Sequence, residues 1–421
     1  MRTFLVVLAV LVNVSAFPQT IAGATDAYAS RIEKILRATP LIDGHNDWAL
    51  ALHNYEDHWG SRTDLRDLSK RPYFDHVDLN LLHRGMVGGQ FWSVYVPADQ
   101  PEVDQVKATL DQIDIVNQIV NRYPEIFAFA RTADDVRRIH KSGRVASMMG
   151  AEGGGQIDND LSVLRIYHQL GVGYLTLTHV KTIDWADSSN DTPLHGGLTP
   201  FGKAVVHELN RLGMLVDISH VSPAVMKDAI ATSRAPVFFS HSSARAVTDH
   251  PRNVPDDILR LVGANGGVVM VNAYPIYVSE PLRQWSANRA GEEARLKLIY
   301  IGQPDKSKTA LDGWEKAHPK PEATLKDVAN HVDHIAKVAG IDHVGIGADF
   351  WGAPGPKGFE DVSRYPDLLV ELMHRGWSDT DIAKLAGENV LRLMEAAEKV
   401  AVELENEPPG NAFEPELDKR K

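Results

Sequence analysis

Runs of apolar, largely β-branched residues recur along the chain, and between them apolar positions return every three or four residues. Eight runs stand out: TPLIDGHND (39–47), GMVGGQFWSVYV (85–96), RVASMMGAEGG (144–154), VGYLTLTH (172–179), GMLVDISH (213–220), APVFFSHSS (235–243), GGVVMVNAY (266–274) and DHVGIGADF (342–350). Their cores are apolar at both odd and even positions, which means strands buried on both faces, as in a parallel sheet covered by helices. The helical spacing predicts helices over 103–121, 160–170, 200–212, 222–232, 255–263 and 324–338, the fourth capped by Ser222, and two more near 366–375 and 378–403. Eight strand-then-helix units predict a (β/α)8 barrel. A doubly wound open sheet is the alternative, but no glycine-rich dinucleotide fingerprint follows the first run.

The runs end in polar residues of a particular kind. The first ends in His45 and Asp47, the third in Glu152, the fourth in His179, the fifth in His220, the sixth in His241, the seventh in Tyr274 and the eighth in Asp349. Side chains two apart on a strand share a face, so His45 and Asp47 project together. That pair alone is equally well a polar turn closing a strand. With 18 histidines in the chain, one at such a place is unremarkable. Four at successive equivalent positions gather at one mouth of a barrel, the carboxyl-terminal one, where active sites of this architecture lie. Imidazole and carboxylate without sulfur suit Zn²⁺ or a similar first-row divalent ion. Three histidines, one aspartate and one glutamate suffice for two ions if a carboxylate bridges them, and such a pair activates a water and polarises a carbonyl oxygen. A remaining carboxylate can move the proton, and a remaining histidine can stabilise an oxyanion. The pattern predicts a metal-dependent hydrolase acting on an amide or ester.

Composition narrows the setting. The 421 residues are 43% hydrophobic and 24% charged, with a net charge of −12, so there is no basic field to attract nucleic acid. The absence of cysteine excludes disulfides, thiolate ligands and a lipid-modified N-terminal cysteine. Residues 1–24 read as a signal peptide: Arg2, an apolar core, then small residues with candidate cleavage after Ala16 or Ala24. That core is short for a membrane span, which predicts export to the periplasm or medium without a stable membrane anchor. Residues 25–405 form the predicted barrel, interrupted near 281–323 by an insertion expected to carry loops and a short helix, and 406–421 form a polar tail.

The stretches IDGHNDWAL, GAEGGG, YLTLTHVKTIDWADSSND, GMLVDISHVS, PVFFSHSSARAV, RNVPDDILR and HVGIGADFWG occur in an order that resembles the renal (membrane) dipeptidase family of zinc peptidases, in its bacterial branch. The resemblance runs from about residue 30 to 400. It implies two Zn²⁺ per subunit, one held by His45 and Asp47 and the other by His220 and His241, with Glu152 bridging them. It gives Asp349 the proton of the attacking water, His179 the substrate and its tetrahedral intermediate, and Arg252 the terminal carboxylate of a dipeptide. Tyr274 falls where the family has a substrate-contacting tyrosine. The family hydrolyses dipeptides, accepts D-residues on the carboxyl-terminal side, and typically forms homodimers. The chain departs from it in three places: Asp349-Phe350-Trp351-Gly352 where an acid is usual at the third position, Gly153-Gly154-Gly155-Gln156 where many relatives carry a histidine, and the 281–323 insertion.

Other polar residues divide less sharply. Asp43 either orients a ligand or hydrogen-bonds within the barrel, and Asp187 and Asn190 shape the mouth or touch substrate. His331, His334 and His343 sit at the wrong end and read as structural, while His53 and His58 fall in the loop after the first strand. Two other functions are compatible with the pattern: a related barrel hydrolase for an N-acyl amino acid, lactone or phosphoester, and a catalytically silent metal- or peptide-binding barrel.

Overall fold

The computed structural model describes residues 27–53, 68–69, 76–350 and 355–410. The leader 1–24, the side chain of His53, His58, Trp351 and residues 411–421 of the tail lie outside the described residues. Among the described residues nine parallel strands form one sheet: β1 (Leu41–Asn46), β2 (Val87–Ser93), β3 (Phe127–Phe129), β4 (Val145–Glu152), β5 (Val172–Thr176), β6 (Leu215–Asp217), β7 (Phe238–Phe239), β8 (Val268–Val271) and β9 (Val344–Ile346). Eight of them close into a barrel in the order β1-β2-β4-β5-β6-β7-β8-β9, with β9 pairing back onto β1. The predicted (β/α)8 barrel is therefore the fold.

The ninth strand, β3, was not among the eight runs. It is three residues long and pairs with Val145–Ser147 of β4, below the point where β5 begins at Met149. The barrel interior is packed rather than hollow. Phe91, Tyr174 and Phe238 meet with ring centroids 5.4–5.8 Å apart, in one cluster with Ile42, Met148 and Met270. Burial on both strand faces explains why these runs are apolar at both odd and even positions.

Most helices fall where the spacing put them, among them Glu102–Arg122, Pro200–Leu212 and Leu325–Ala339. Ser222 caps Pro223–Thr232 by accepting from Val225 N at 3.3 Å. The expected helix 378–403 is instead Asp379–Ala383, a π-helical turn Lys384–Glu388, and Asn389–Glu403. In the wide turn Gly387 lies so close to the carbonyl of Pro40 that a Cβ would collide with it. The insertion differs more from expectation. Its residues form two helices, Glu280–Ile299 and Pro304–Ala317, turning at Gly302. Arg289 joins them through Glu315 at 2.6 Å, and Trp285 packs on Trp314 and donates to His318 O at 2.7 Å. Only Leu282, Leu296, Ser307 and Leu311 of this pair are buried, so the hydrophobic periodicity that marks a helix is faint there.

His331 is structural and carries a pH signature. Its Nδ1 accepts from Ala244 N at 2.9 Å, while Nε2 faces Val278 O at 3.2 Å and Thr248 Oγ1 at 3.3 Å. This fixes the neutral tautomer, since a proton on Nδ1 would oppose the Ala244 N–H. Burial pushes the group down to about 4. A depressed histidine contributes its stability in full above the unfolded value of about 6.5 and loses it as pH falls toward the folded value. Urea unfolding is expected to show wild type losing about 2 kcal/mol more than His331→Asn between pH 7 and pH 5. Equal losses in the two proteins would refute the assignment.

Candidate active site

The sequence-predicted residues meet at the carboxyl end of the barrel. His45 lies within β1 and Asp47 just past it, and Glu152 is the last residue of β4. His179, His220, His241 and Asp349 follow β5, β6, β7 and β9 by two or three residues. Glu152 is at the centre. Its Oε1 lies 2.9 Å from His220 Nε2, 3.1 Å from His241 Nε2 and 3.9 Å from His179 Nε2, and its Oε2 lies 3.3 Å from His45 Nε2. His45 Nε2 is 3.5 Å from Asp47 Oδ1. Asp349 shares a cluster of close donor atoms with His45 and Asp47. Both His220 (φ 65°) and Asp349 (φ 60°) have left-handed backbones, a cost tolerated where a side chain must be aimed.

Polar residues inside the strands hold this set in place. Tyr174 OH meets His45 Nδ1 at 2.8 Å, which turns Nε2 toward Glu152. Ser240 Oγ donates to Asp217 Oδ2 at 2.6 Å and lies 2.7 Å from His241 Nδ1. Its one proton is thus committed to Asp217, so His241 donates from Nδ1 and presents a lone pair at Nε2. Asp217 also accepts from Thr176 Oγ1 and from the backbone N–H groups of Ser219 and Ser240. Asn272 Nδ2 donates to Asp349 Oδ2 at 2.8 Å. Tyr174, Asp217 and Asn272 do not end a run and were not among the residues expected at the site. The available signal was a polar residue inside an otherwise apolar strand or just past its end. Gly150 makes room for the Tyr174 ring, which a Cβ would strike.

Tyr174→Phe removes only the hydroxyl behind His45. Removing such a partner costs about 10–100-fold in metal affinity or activity. Zinc titration of the metal-stripped variant is expected to show weakening on that scale, and unchanged affinity would show that Tyr174 does not orient His45.

Electrostatics fit a cation. Burial and the neighbouring Arg252 hold His220 well below the ordinary imidazole range, and burial with His45 and Arg252 does the same for His241, so both are neutral donors. Burial disfavours charge on Glu152 and His45, but their neighbours prevail: the imidazoles, His45 foremost, hold the carboxyl well below its usual range, and Tyr174, Glu152 and Asp47 hold the His45 imidazole well above. The cluster thus draws positive charge to its centre. Burial lifts the Asp349 carboxyl to about 7, aided by Asp47 and Glu152 and opposed by His45. His45 Nε2 and Asp47 Oδ1 are buried without a hydrogen-bond partner. The His220 and His241 Nε2 atoms are 2.9 Å apart, a spacing that suits two nitrogens on one ion at roughly 2.0–2.1 Å each. The residues present fit first-row divalent metal.

Arg252 is 1% exposed. It donates to Ser242 Oγ at 2.6 Å and His241 O at 2.7 Å, its guanidinium lies 6.0 Å from the Tyr277 ring centroid, and its Nε is without a partner. Tyr274 lies tilted against Tyr277 with ring centroids 4.8 Å apart, and burial together with the charge of Asp349 pushes its hydroxyl up. Asp43 and Asp187 resolve as structural. Asp43 accepts from Tyr365 OH at 2.6 Å and from the backbone N–H groups of His45 and Ala348, tying β1 to the turn after β9. Asp187 accepts from the N–H groups of Leu194, His195 and Gly197 and folds its own loop.

A closed parallel barrel with imidazoles and carboxylates converging at its carboxyl end defines a metal-dependent hydrolase. The model of the membrane dipeptidase family, peptidase family M19, matches residues 29–408. The chain belongs to that family, and it is a peptide-bond hydrolase. A dipeptidase of the fungus Clonostachys rogersoniana, verJ, is 38% identical over 391 residues, covering 90% of this chain and 89% of its own. The crystal structure of the probable dipeptidase PvdM from Pseudomonas aeruginosa is 28% identical with a TM-score of 0.76, over 88% of this chain and 98% of that one. A metallopeptidase from Rhodobacter sphaeroides, liganded with a phosphinate mimic of the dipeptide L-Ala-D-Ala, is 26% identical with a TM-score of 0.68, over 86% and 99%. With fungal and bacterial relatives both present, the comparisons assign the family rather than its bacterial branch. Among the described residues no helix is long and apolar enough to cross a membrane.

Proposed function

We propose that this chain is an exported, binuclear zinc dipeptidase of the bacterial type that tolerates a D-residue on the carboxyl-terminal side. The observation that carries the reading is Glu152, whose two oxygens lie between His45 on one side and His220 and His241 on the other. His45 and Asp47 would hold one ion, His220 and His241 the second, and Glu152 both. Bound there, the ions supply Lewis acidity to a water and to the substrate carbonyl. Asp349, lifted by burial and steadied by Asn272, takes the proton of the attacking water and returns it to the leaving amine. His179, held below its usual range by burial, stands beside Glu152 to support the developing oxyanion. Arg252 receives the free carboxylate, and Tyr274 contacts the substrate beside Asp349. The D-residue reading draws on the phosphinate-liganded relative. Export rests on residues 1–24, and a homodimer on the family resemblance.

The role of Arg252 is testable apart from the metals. Arg252→Met is expected to lower kcat/KM for Ala-Ala by roughly 10–150-fold, the worth of about 1.5–3 kcal/mol for a charge-assisted hydrogen bond. The same variant should lose little on Ala-Ala amide, which wild type already handles poorly. Equal losses on acid and amide would place Arg252 outside carboxylate recognition.

A further inference from the structure

Among the imidazoles assigned to the ions, His241 is the one backed by a carboxylate. His45 Nδ1 meets the phenol of Tyr174, and among the described residues His220 Nδ1 is buried without a hydrogen-bond partner. His241 Nδ1 instead faces Ser240 Oγ, which lies 2.6 Å from Asp217 Oδ2. Thr176, Asp217 and Ser240 are fully buried. Asp217 Oδ1 accepts from Ser219 N at 3.0 Å and from Ser240 N at 2.9 Å, while Oδ2 accepts from the hydroxyls of Thr176 and Ser240. The competing acceptor for the Ser240 proton, Ser219 Oγ, is farther away at 3.4 Å. The backbone of Ser240 is wedged in the barrel interior, where a Cβ at Gly44 or Gly347 would collide with its carbonyl oxygen. Among the described residues Asp217 belongs to none of the clusters of close donor atoms that could hold an ion. Its route to the site is Ser240.

This inference rests on the reading of His220, His241 and Glu152 as ligands of one ion. We propose that Asp217 is a positioning residue that acts through the Ser240 hydroxyl to fix the His241 tautomer, and thereby sets the zinc affinity of the His220–His241 site. Four donors converge on the Asp217 carboxylate, which accepts from all of them. Ser240 therefore spends its proton on Asp217, and its oxygen accepts from His241 Nδ1–H. The lone pair then lies at Nε2, 3.1 Å from Glu152 Oε1. Asp217→Asn reverses this chain of bonds. Its amide oxygen would stay on the two backbone N–H groups, and its NH2 would donate to Thr176 and Ser240. The Ser240 proton would then go to His241 Nδ1. That leaves the imidazole proton on Nε2, where an ion needs a lone pair.

The experiment titrates the metal-stripped full chain with zinc against a competing chelator, in wild type, Asp217→Asn, Ser240→Ala and the double variant. Wild type is expected to take up two ions. Asp217→Asn should bind one of them about 10–100-fold more weakly and the other as before, the scale of losing the partner behind a ligand. Ser240→Ala should weaken the same ion less, because it removes the acceptor for Nδ1–H without supplying a competing donor. The double variant should match Ser240→Ala, since Asp217 has no route to His241 without the hydroxyl. Losses that add in the double variant would mark independent structural roles and overturn the proposal, as would unchanged zinc affinity in Asp217→Asn. Circular dichroism checks each fold. If Asp217→Asn does not fold, Ser240→Ala decides, and unchanged affinity there overturns the proposal. A wild type that binds fewer than two ions overturns the binuclear reading itself, whereas two ions with unmoved variants overturn the role of Asp217 alone.

Discussion

Glu152→Gln is expected to lower kcat/KM for dipeptides by about 10³-fold or more, the scale of losing a principal electrostatic element of an active site. The substitution preserves shape and changes charge. A neutral amide keeps one acceptor oxygen, but its NH2 group would face His45 on one side or His220 and His241 on the other. Whichever way it turns, one side of the cluster meets a donor where it needs an acceptor. The carboxylate that draws positive charge to the centre is also gone. Metal content measured on the purified variant should fall together with activity. Two ions per chain and near-normal turnover in Glu152→Gln would remove it from the centre of the account.

Asp349→Asn separates proton transfer from metal binding. General acid–base catalysis contributes about 10²–10⁴-fold, and kcat is expected to fall on that scale while KM and metal content change little. Asparagine is the informative replacement for two reasons. It tolerates the left-handed backbone found here at φ 60°, and its oxygen can still accept from Asn272 Nδ2. A loss confined to kcat would mark Asp349 as the group that moves the proton. A kcat within tenfold of wild type would transfer that role elsewhere, and a loss of metal would make Asp349 a ligand.

The barrel was legible because burial on both strand faces leaves a nearly continuous apolar signature, as in 213–216 and 266–271. The residues gathered at the mouth were legible because a parallel barrel collects all its strand ends at one place, so position along the chain translates into position in space. What escaped notice has physical reasons. Tyr174 and Asp217 point inward from within strands, Tyr174 reaching His45 across the barrel and Asp217 reaching Ser240 beside the neighbouring strand, relations that sequence spacing does not carry. β3 is too short to show a period, and the helices of 280–317 bury too few side chains to show a stripe. The π-turn at Lys384–Glu388 answers to a contact with Pro40, more than 340 positions away, and no local propensity foretells it.

The central claim is most directly tested by assaying the purified protein on L-Ala-L-Ala, L-Ala-D-Ala and D-Ala-L-Ala, first after chelation and then with added zinc. The account predicts no cleavage after chelation and, with two equivalents of zinc, cleavage of the first two and not the third. Cleavage that persists in the stripped protein, or a chain carrying two zinc ions that cleaves none of the three, would contradict it.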